Sequence, residues 1–248
     1  MVQRLRIRYA KRGPMRFTSH RDFARALERA ILRAGVPIAY SQGFTPHPKI
    51  SYASAAPTGV ASVAEYLEIG VRTSVDPAEL VRALDAALPP GLDILDAVVA
   101  GSGSLADRID TSAWRIELPG IAPERAAAAV AAFLALAEVP VERMTKQGRR
   151  ILDARSPVLA ISVVSDTTAE PSEVEGLPCA ILDLVVRHVT PTVRPDDVLT
   201  GLRAVVDLEP SAPPRATRVA QGGLTAEGEI VDPLAADRDM ASTRASSG

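Results

Sequence analysis

The side chains with the most chemistry crowd near the start of the chain. Between Met1 and Tyr52 stand Arg4, Arg6, Arg8, Lys11, Arg12, Arg16, Arg21, Arg25, Arg29, Arg33 and Lys49, opposed only by Asp22 and Glu28. The local balance is +9 in a chain whose net charge is −2. A basic segment within an acidic whole points to a polyanion or an acidic protein surface as its partner. Two rows carry the charge. Arg4, Arg6 and Arg8 alternate with Leu5, Ile7 and Tyr9, and Arg21, Arg25, Arg29 and Arg33 recur every fourth residue. Lined up on a groove, such guanidinium groups would neutralise phosphates of RNA and release counterions, so binding would weaken with salt. The same rows would serve an acidic protein, and a merely solvated arginine face needs no ligand.

A second unusual segment follows. Gly43-Phe44-Thr45-Pro46-His47-Pro48-Lys49 joins a turn glycine and two stiffening prolines to an exposed-looking aromatic, an imidazole and a cation. A binding loop accounts for that composition better than a plain connector does. Single-stranded RNA also wants aromatic platforms, and Tyr9, Phe17, Tyr40, Phe44 and Tyr52 are the local supply, shared with the core. Phe44, His47 and Lys49 are therefore grouped with Arg4, Arg6, Arg8, Arg21, Arg25 and Arg29 as candidate RNA- or partner-binding residues.

Signals for catalysis are weak. His20 lies at a helix entrance and would serve as a general base only with Tyr40 or His47 beside it. A helix cap or packing role explains it better. His20, His47 and His188 show no metal-ligand spacing, and no resident cofactor is expected. Cys179 is the lone cysteine, so no intramolecular disulfide and no cysteine-ligated iron–sulfur cluster can form within this chain. In its apolar run it reads as a small buried hydrophobe. Phosphate loops, dinucleotide motifs and nucleophile elbows are missing from the sequence. Arg143 with Lys146-Gln147-Gly148-Arg149-Arg150 reads as a basic turn that extends the positive surface or is simply solvated.

Positioning these groups requires a regular scaffold. Arg4–Tyr9 has the period of a strand. Thr18 or Ser19 caps a helix from His20 to Ala34, with Gly35 as its stop and Pro37 beyond. Extended patterns return at Ile50–Ala53 and Ala64–Val71. Asp76-Pro77 opens a helix to about Leu88, and Leu92–Val99 closes the set. The order recurs: a strand at Trp114–Leu118, a helix from Ala122-Pro123 to about Ala137, extended runs at 150–154, 158–163 and 180–186, a helix from Arg194-Pro195 to about Ala204, and a strand at 217–220. The expected class is α+β, with two tandem ferredoxin-like (split βαβ) domains and antiparallel sheets. Residues 1–100 form the basic first domain, 101–111 a Gly/Ser linker, 112–234 the second domain and 235–248 a disordered tail.

The run Arg16-Phe17-Thr18-Ser19-His20-Arg21-Asp22, the helix ending in Ala34-Gly35-Val36-Pro37-Ile38-Ala39-Tyr40-Ser41, the following Gln42-Gly43-Phe44-Thr45-Pro46-His47-Pro48-Lys49-Ile50-Ser51, and Gly59 through Glu65-Tyr66 together resemble an uncharacterised bacterial family of radical-SAM-linked proteins. The resemblance is strongest over residues 4–71 and implies a radical-SAM enzyme as partner, with no established activity of its own. A remoter likeness, of topology only, is to CRISPR repeat-processing endoribonucleases, which also pair ferredoxin-like domains. It adds weight to RNA contact and transfers no catalytic residue.

Hydrophobic residues make up 47% and charged residues 23%, as in ordinary globular proteins, and no apolar run is long enough for a membrane span. Without a signal-peptide-like start, a cytoplasmic location is expected. The reading that emerges is a non-catalytic accessory of a radical-SAM enzyme that binds or presents RNA through a basic N-terminal face. The alternatives are a pure protein-interaction module that docks the enzyme, and a metal-independent endoribonuclease.

Overall fold

Leu5, Ile7 and Tyr9 line one face of β1 (Gln3–Lys11), and two helices cover them. The computed structural model describes residues 1–145, 148–164 and 178–245. The chain divides into two compact units, residues 1–110 with 220–248, and residues 111–219.

In the first unit α1 (His20–Arg33) starts where the Ser19 hydroxyl accepts the Asp22 amide at 3.2 Å. It stops at Gly35, whose φ of +66° suits only glycine well. β2 (Ile50–Ala53), β3 (Ala61–Val71), α2 (Pro77–Ala87) and β4 (Leu92–Val99) follow. Asp76 caps α2 by accepting the Glu79 amide at 2.9 Å. The sheet runs β4-β1-β3 with β2 also paired to β3, and every pairing is antiparallel. Phe23, Leu27 and Ile31 from α1 and Leu80 and Leu84 from α2 pack onto Leu5, Ile7 and Tyr9, with the Tyr9 and Phe23 rings stacked at 4.3 Å. Each such side chain contributes about 1.5–3 kcal/mol by leaving water.

The other face of this sheet is also covered. Ala64, Tyr66 and Val98 gather with Leu105, Ile109 and Leu234. Leu234 belongs to the returning end of the chain, which adds β11 (Ile230–Val231) and α5 (Ala235–Ala245). The tail expected to be disordered is thus a helix over Ala235–Ala245. The expected linker is structured too: the Gly101 amide donates to Asp237 at 3.0 Å, and Arg6 donates to the Gly103 carbonyl at 2.6 Å. Buried charges demand fixed partners, and these backbone groups supply them.

The second unit contains β5 (Thr111–Pro119), α3 (Pro123–Leu134), β6 (Pro140–Thr145), β7 (Gly148–Asp153), β8 (Val158–Val163), β9 (Cys179–Arg187) and α4 (Pro195–Val206). β10 (Arg215–Leu224) begins there and carries the chain back into the first unit. Its sheet path is β10-β5-β9-β8, with β5–β9 and β8–β9 antiparallel. A Cβ on Gly201 would lie 2.9 Å from Phe133 Cε2, so α4 needs glycine to approach α3. β6 and β7 form a separate hairpin, with Val141 opposite Leu152 and Arg143 opposite Arg150. Arg143 is not part of a free basic turn. It donates to Asp197 at 2.8 Å and to the Thr192 carbonyl at 3.0 Å. Lys146 and Gln147 lie outside the described residues. The whole is α+β with mostly antiparallel pairing. No helix among the described residues is long and apolar enough to cross a membrane.

Candidate functional site

The two arginine rows meet opposite fates. Arg4, Arg6 and Arg8 project from β1 toward the covered face. Arg6 is fully buried, with Nε 3.0 Å from Glu68 and Nη1 2.8 Å from Asp237. Arg4 donates to Glu68 at 3.2 Å and to the Gly101 carbonyl at 3.1 Å. Arg8 donates to the Val63 carbonyl at 2.9 Å and sits 3.9 Å from Asp232. Arg108 adds two hydrogen bonds to Asp237 at 2.9 and 3.2 Å. Burial alone would raise the Asp237 carboxyl, but donors from Arg6, Arg108 and the Gly101 amide hold it below its ordinary value. The expected phosphate-binding role of this row is corrected for Arg6, which no phosphate can reach, while Arg4 and Arg8 are committed to internal partners.

The second row stays outside. Arg21, Arg25 and Arg29 are exposed on α1. Arg21 and Arg29 make no ion pair among the described residues, and Arg25 lies 4.0 Å from Asp22. Arg33 is turned inward enough to donate to the Ala87 carbonyl at 3.0 Å. Positions 21, 25, 28 and 32 follow an i, i+4, i+7, i+11 spacing, so Arg21, Arg25, Glu28 and Leu32 share one stripe. Leu32 is 69% exposed.

Beside this stripe stands the Pro/Gly segment. It is irregular, as expected, and pinned at its base. Tyr40 bridges to Pro48, the Ser41 amide donates to the His47 carbonyl at 2.8 Å, and the His47 amide donates to the Ser41 hydroxyl at 3.0 Å. The Lys49 amide donates to the Ala39 carbonyl at 2.8 Å, which anchors the base of the loop to the body of the unit. Phe44 stands at the tip, fully exposed, and the Lys49 side chain is also exposed. Between α1 and the loop lies a cavity of about 330 Å³ whose wall includes Glu28, Leu32, Tyr40, Pro46 and His47. The Tyr52 hydroxyl is buried and has no hydrogen-bond partner among the described residues. Burial and then the Glu28 charge push that phenol up to about 12.

Glu28 and Leu32 of α1 and His47 of the loop thus line one cavity, Arg21, Arg25, Arg29, Phe44 and Lys49 are exposed in the same unit, and Arg4, Arg6 and Arg8 lie on the covered face of the sheet. Sequence reasoning missed Glu28 and Leu32, although their spacing from Arg21 was the signal. His20 packs edge-on against Tyr52 at 4.7 Å between ring centres. Among the described residues it makes no hydrogen bond to His47 or Tyr40. His188 hydrogen-bonds Ser112 at 2.7 Å within the second unit. Among the described residues no three His, Cys, Asp or Glu side chains gather as metal ligands would. Cys179 is half-buried, and burial followed by the Glu117 charge raises its thiol above the ordinary value, away from the reactive thiolate.

Residues 4–195 match the family model described as an uncharacterized protein conserved in bacteria (DUF2344). The chain belongs to this family. Membership spans the whole of the α1-and-loop site and most of the second unit, so the site is carried within the family's own region. No curated protein matches the sequence.

Proposed function

We propose that this member of the family is a non-catalytic accessory protein that holds single-stranded RNA on α1 and the Gln42–Lys49 loop and presents it to a radical-SAM enzyme. One observation carries the reading: Arg21 and Arg29 stand exposed without acid partners among the described residues, and the pinned loop of the same unit offers a fully exposed Phe44. Side chains that gain nothing by folding in this arrangement gain most from a ligand that supplies phosphates and flat rings. The radical-SAM partner rests on the resemblance over residues 4–71. The strand orders β4-β1-β3-β2 and β10-β5-β9-β8 favour reading each unit as a split βαβ of the ferredoxin-like kind. That fold by itself assigns no function.

The test is crosslinking of the purified protein to total cellular RNA over a salt series, beside the triple variant Arg21→Glu, Arg25→Glu, Arg29→Glu. Crosslinks should weaken as salt rises, with a slope of about −2 in log–log form for three contacts to a single strand. They should vanish in the variant. Absence of crosslinks above background in the unaltered protein would overturn RNA binding and leave docking of the radical-SAM enzyme as the role of the same face.

A further inference from the structure

We infer that the cavity between α1 and the loop is a base-reading pocket that selects guanine within the bound strand, with the Glu28 carboxylate as the selecting group. The inference rests on the RNA reading above and adds a specificity to it. The pocket's walls are apolar or flat: Ile31 and Leu32 from α1, Ile38, and the Tyr40, Pro46 and His47 rings from the loop. Its volume, about 330 Å³, is at the small end of the ~300–1,000 Å³ range of ligand sites, suited to one planar heterocycle.

Glu28 is the carboxylate of this wall, and it makes no ion pair among the described residues although arginines surround it in sequence. A carboxylate only accepts hydrogen bonds. Guanine alone among the four RNA bases sets two N–H donors side by side, N1–H and the N2 amino group, on its Watson–Crick edge. Adenine and cytosine set one amino donor beside an acceptor, and uracil flanks one donor with two acceptors. Each of these others brings a lone pair against the Glu28 oxygens. A two-point match of this type is the kind that gives strong base discrimination.

The surroundings agree with a nucleotide rather than a cationic side chain. Arg21 and Arg25 lie on the same helical stripe as Glu28, and Arg29 is its neighbour. They would repel a lysine or arginine of a partner and attract the phosphates flanking an inserted base. Successive arginines at four-residue spacing rise about 6 Å along the helix, comparable to the step between phosphates in an extended strand. The Ser41–His47 and Ala39–Lys49 hydrogen bonds hold the loop in place before any ligand arrives, which lowers the ordering cost of binding.

The test uses the full chain and fluorescence anisotropy with labelled uridine octamers that carry one central guanine, adenine or cytosine. The unaltered protein should bind the guanine octamer about tenfold tighter than the other two. Glu28→Gln should erase that preference; the readout is the ratio among the octamers, because losing one negative charge beside the arginines also tightens binding of all of them together. Because Glu28 is exposed, the variant's thermal midpoint serves as its folding control. Equal binding of the three octamers overturns the guanine pocket and leaves the RNA reading standing. A guanine preference that survives Glu28→Gln likewise overturns it. Failure to bind any octamer overturns the RNA reading itself. Guanosine 5′-monophosphate and arginine amide as competitors form a second arm. Competition by arginine amide alone would assign the cavity to a partner protein's cation, against the inference.

Discussion

Arg6 and Asp237 stand 231 positions apart in sequence and 2.8 Å apart in space, both fully buried at the side chain. The pair lies at the centre of a network that includes Glu68, Arg108 and the backbone of Gly101 and Gly103. Such a pair is worth little against an apolar substitute of the same shape, but removing one partner leaves a charge stranded in a dry place. Asp237→Ala should therefore cost about 3–5 kcal/mol in urea unfolding. The double change Arg6→Met with Asp237→Leu should recover most of it. A single variant within about 0.5 kcal/mol of the unaltered protein would show that the network contributes nothing.

Acid should act through the same carboxylate. Asp237 titrates below its ordinary value when folded, and so does Asp232, which accepts from Tyr66 at 3.1 Å and Arg238 at 2.7 Å. A carboxyl with a depressed folded value binds more protons when unfolded. Its stabilisation is complete above the unfolded value of about 4 and drains away as pH falls toward the folded one. The thermal midpoint should be nearly flat from neutrality to about pH 5 and drop steeply below about pH 4. In Asp237→Asn the acid limb should be shallower; an unchanged limb would assign the acid sensitivity elsewhere.

Phe44 and Leu27 separate binding from stability. Phe44 touches solvent over its whole surface, whereas Leu27 is completely buried beneath α1. Phe44→Ala should leave unfolding unchanged within about 0.5 kcal/mol yet weaken RNA binding by about 1–3 kcal/mol, the worth of one stacked base. Leu27→Ala should cost about 2–5 kcal/mol of stability. Loss of stability in the first or unaltered binding by it would contradict the assignment of the loop tip.

Gly201 offers a packing test in the second unit. Its missing side chain admits Phe133 and, at 3.2 Å from the would-be Cβ, Val139. Gly201→Val should force α4 away from α3 and cost about 1–3 kcal/mol, read by urea unfolding. No change in the urea midpoint would show that the helices can give way.

Much of the scaffold was legible because local rules decide it. Ser19 and Asp76 cap the helices expected to begin beside them, Gly35 ends α1, and Leu92–Val99 is a strand over the full expected span. Lys49 and Phe44 were legible as surface features because Gly43, Pro46 and Pro48 exclude regular structure around them. The face of Arg4, Arg6 and Arg8 was not. Alternation reads the same whether the polar side meets water or carboxylates, and the carboxylates come from the far end of the chain. Asp232, Asp237 and Arg238 sit in a polar stretch, and their long-range partners, among them Arg6 and Arg8 of β1, Tyr66 of β3 and Asp96 of β4, give it order. Glu28 looked like one more surface charge, since nothing local announces the loop that walls it in.

The first unit is interrupted by residues 111–219 and finished by residues 220–248. During synthesis on the ribosome the segment carrying Arg6 emerges first and waits through the making of the whole second unit for Asp237. When the middle unit has been made through Val219, the first unit still lacks the end of β10, Leu234 and the Asp237 counter-charge. Until that end is made Arg6 has Glu68 but not Asp237, so the buried network of β1 is completed last. A stop at Val219 would cut β10 short and leave Arg6 without Asp237, making the chain a ready substrate for chaperones and proteases.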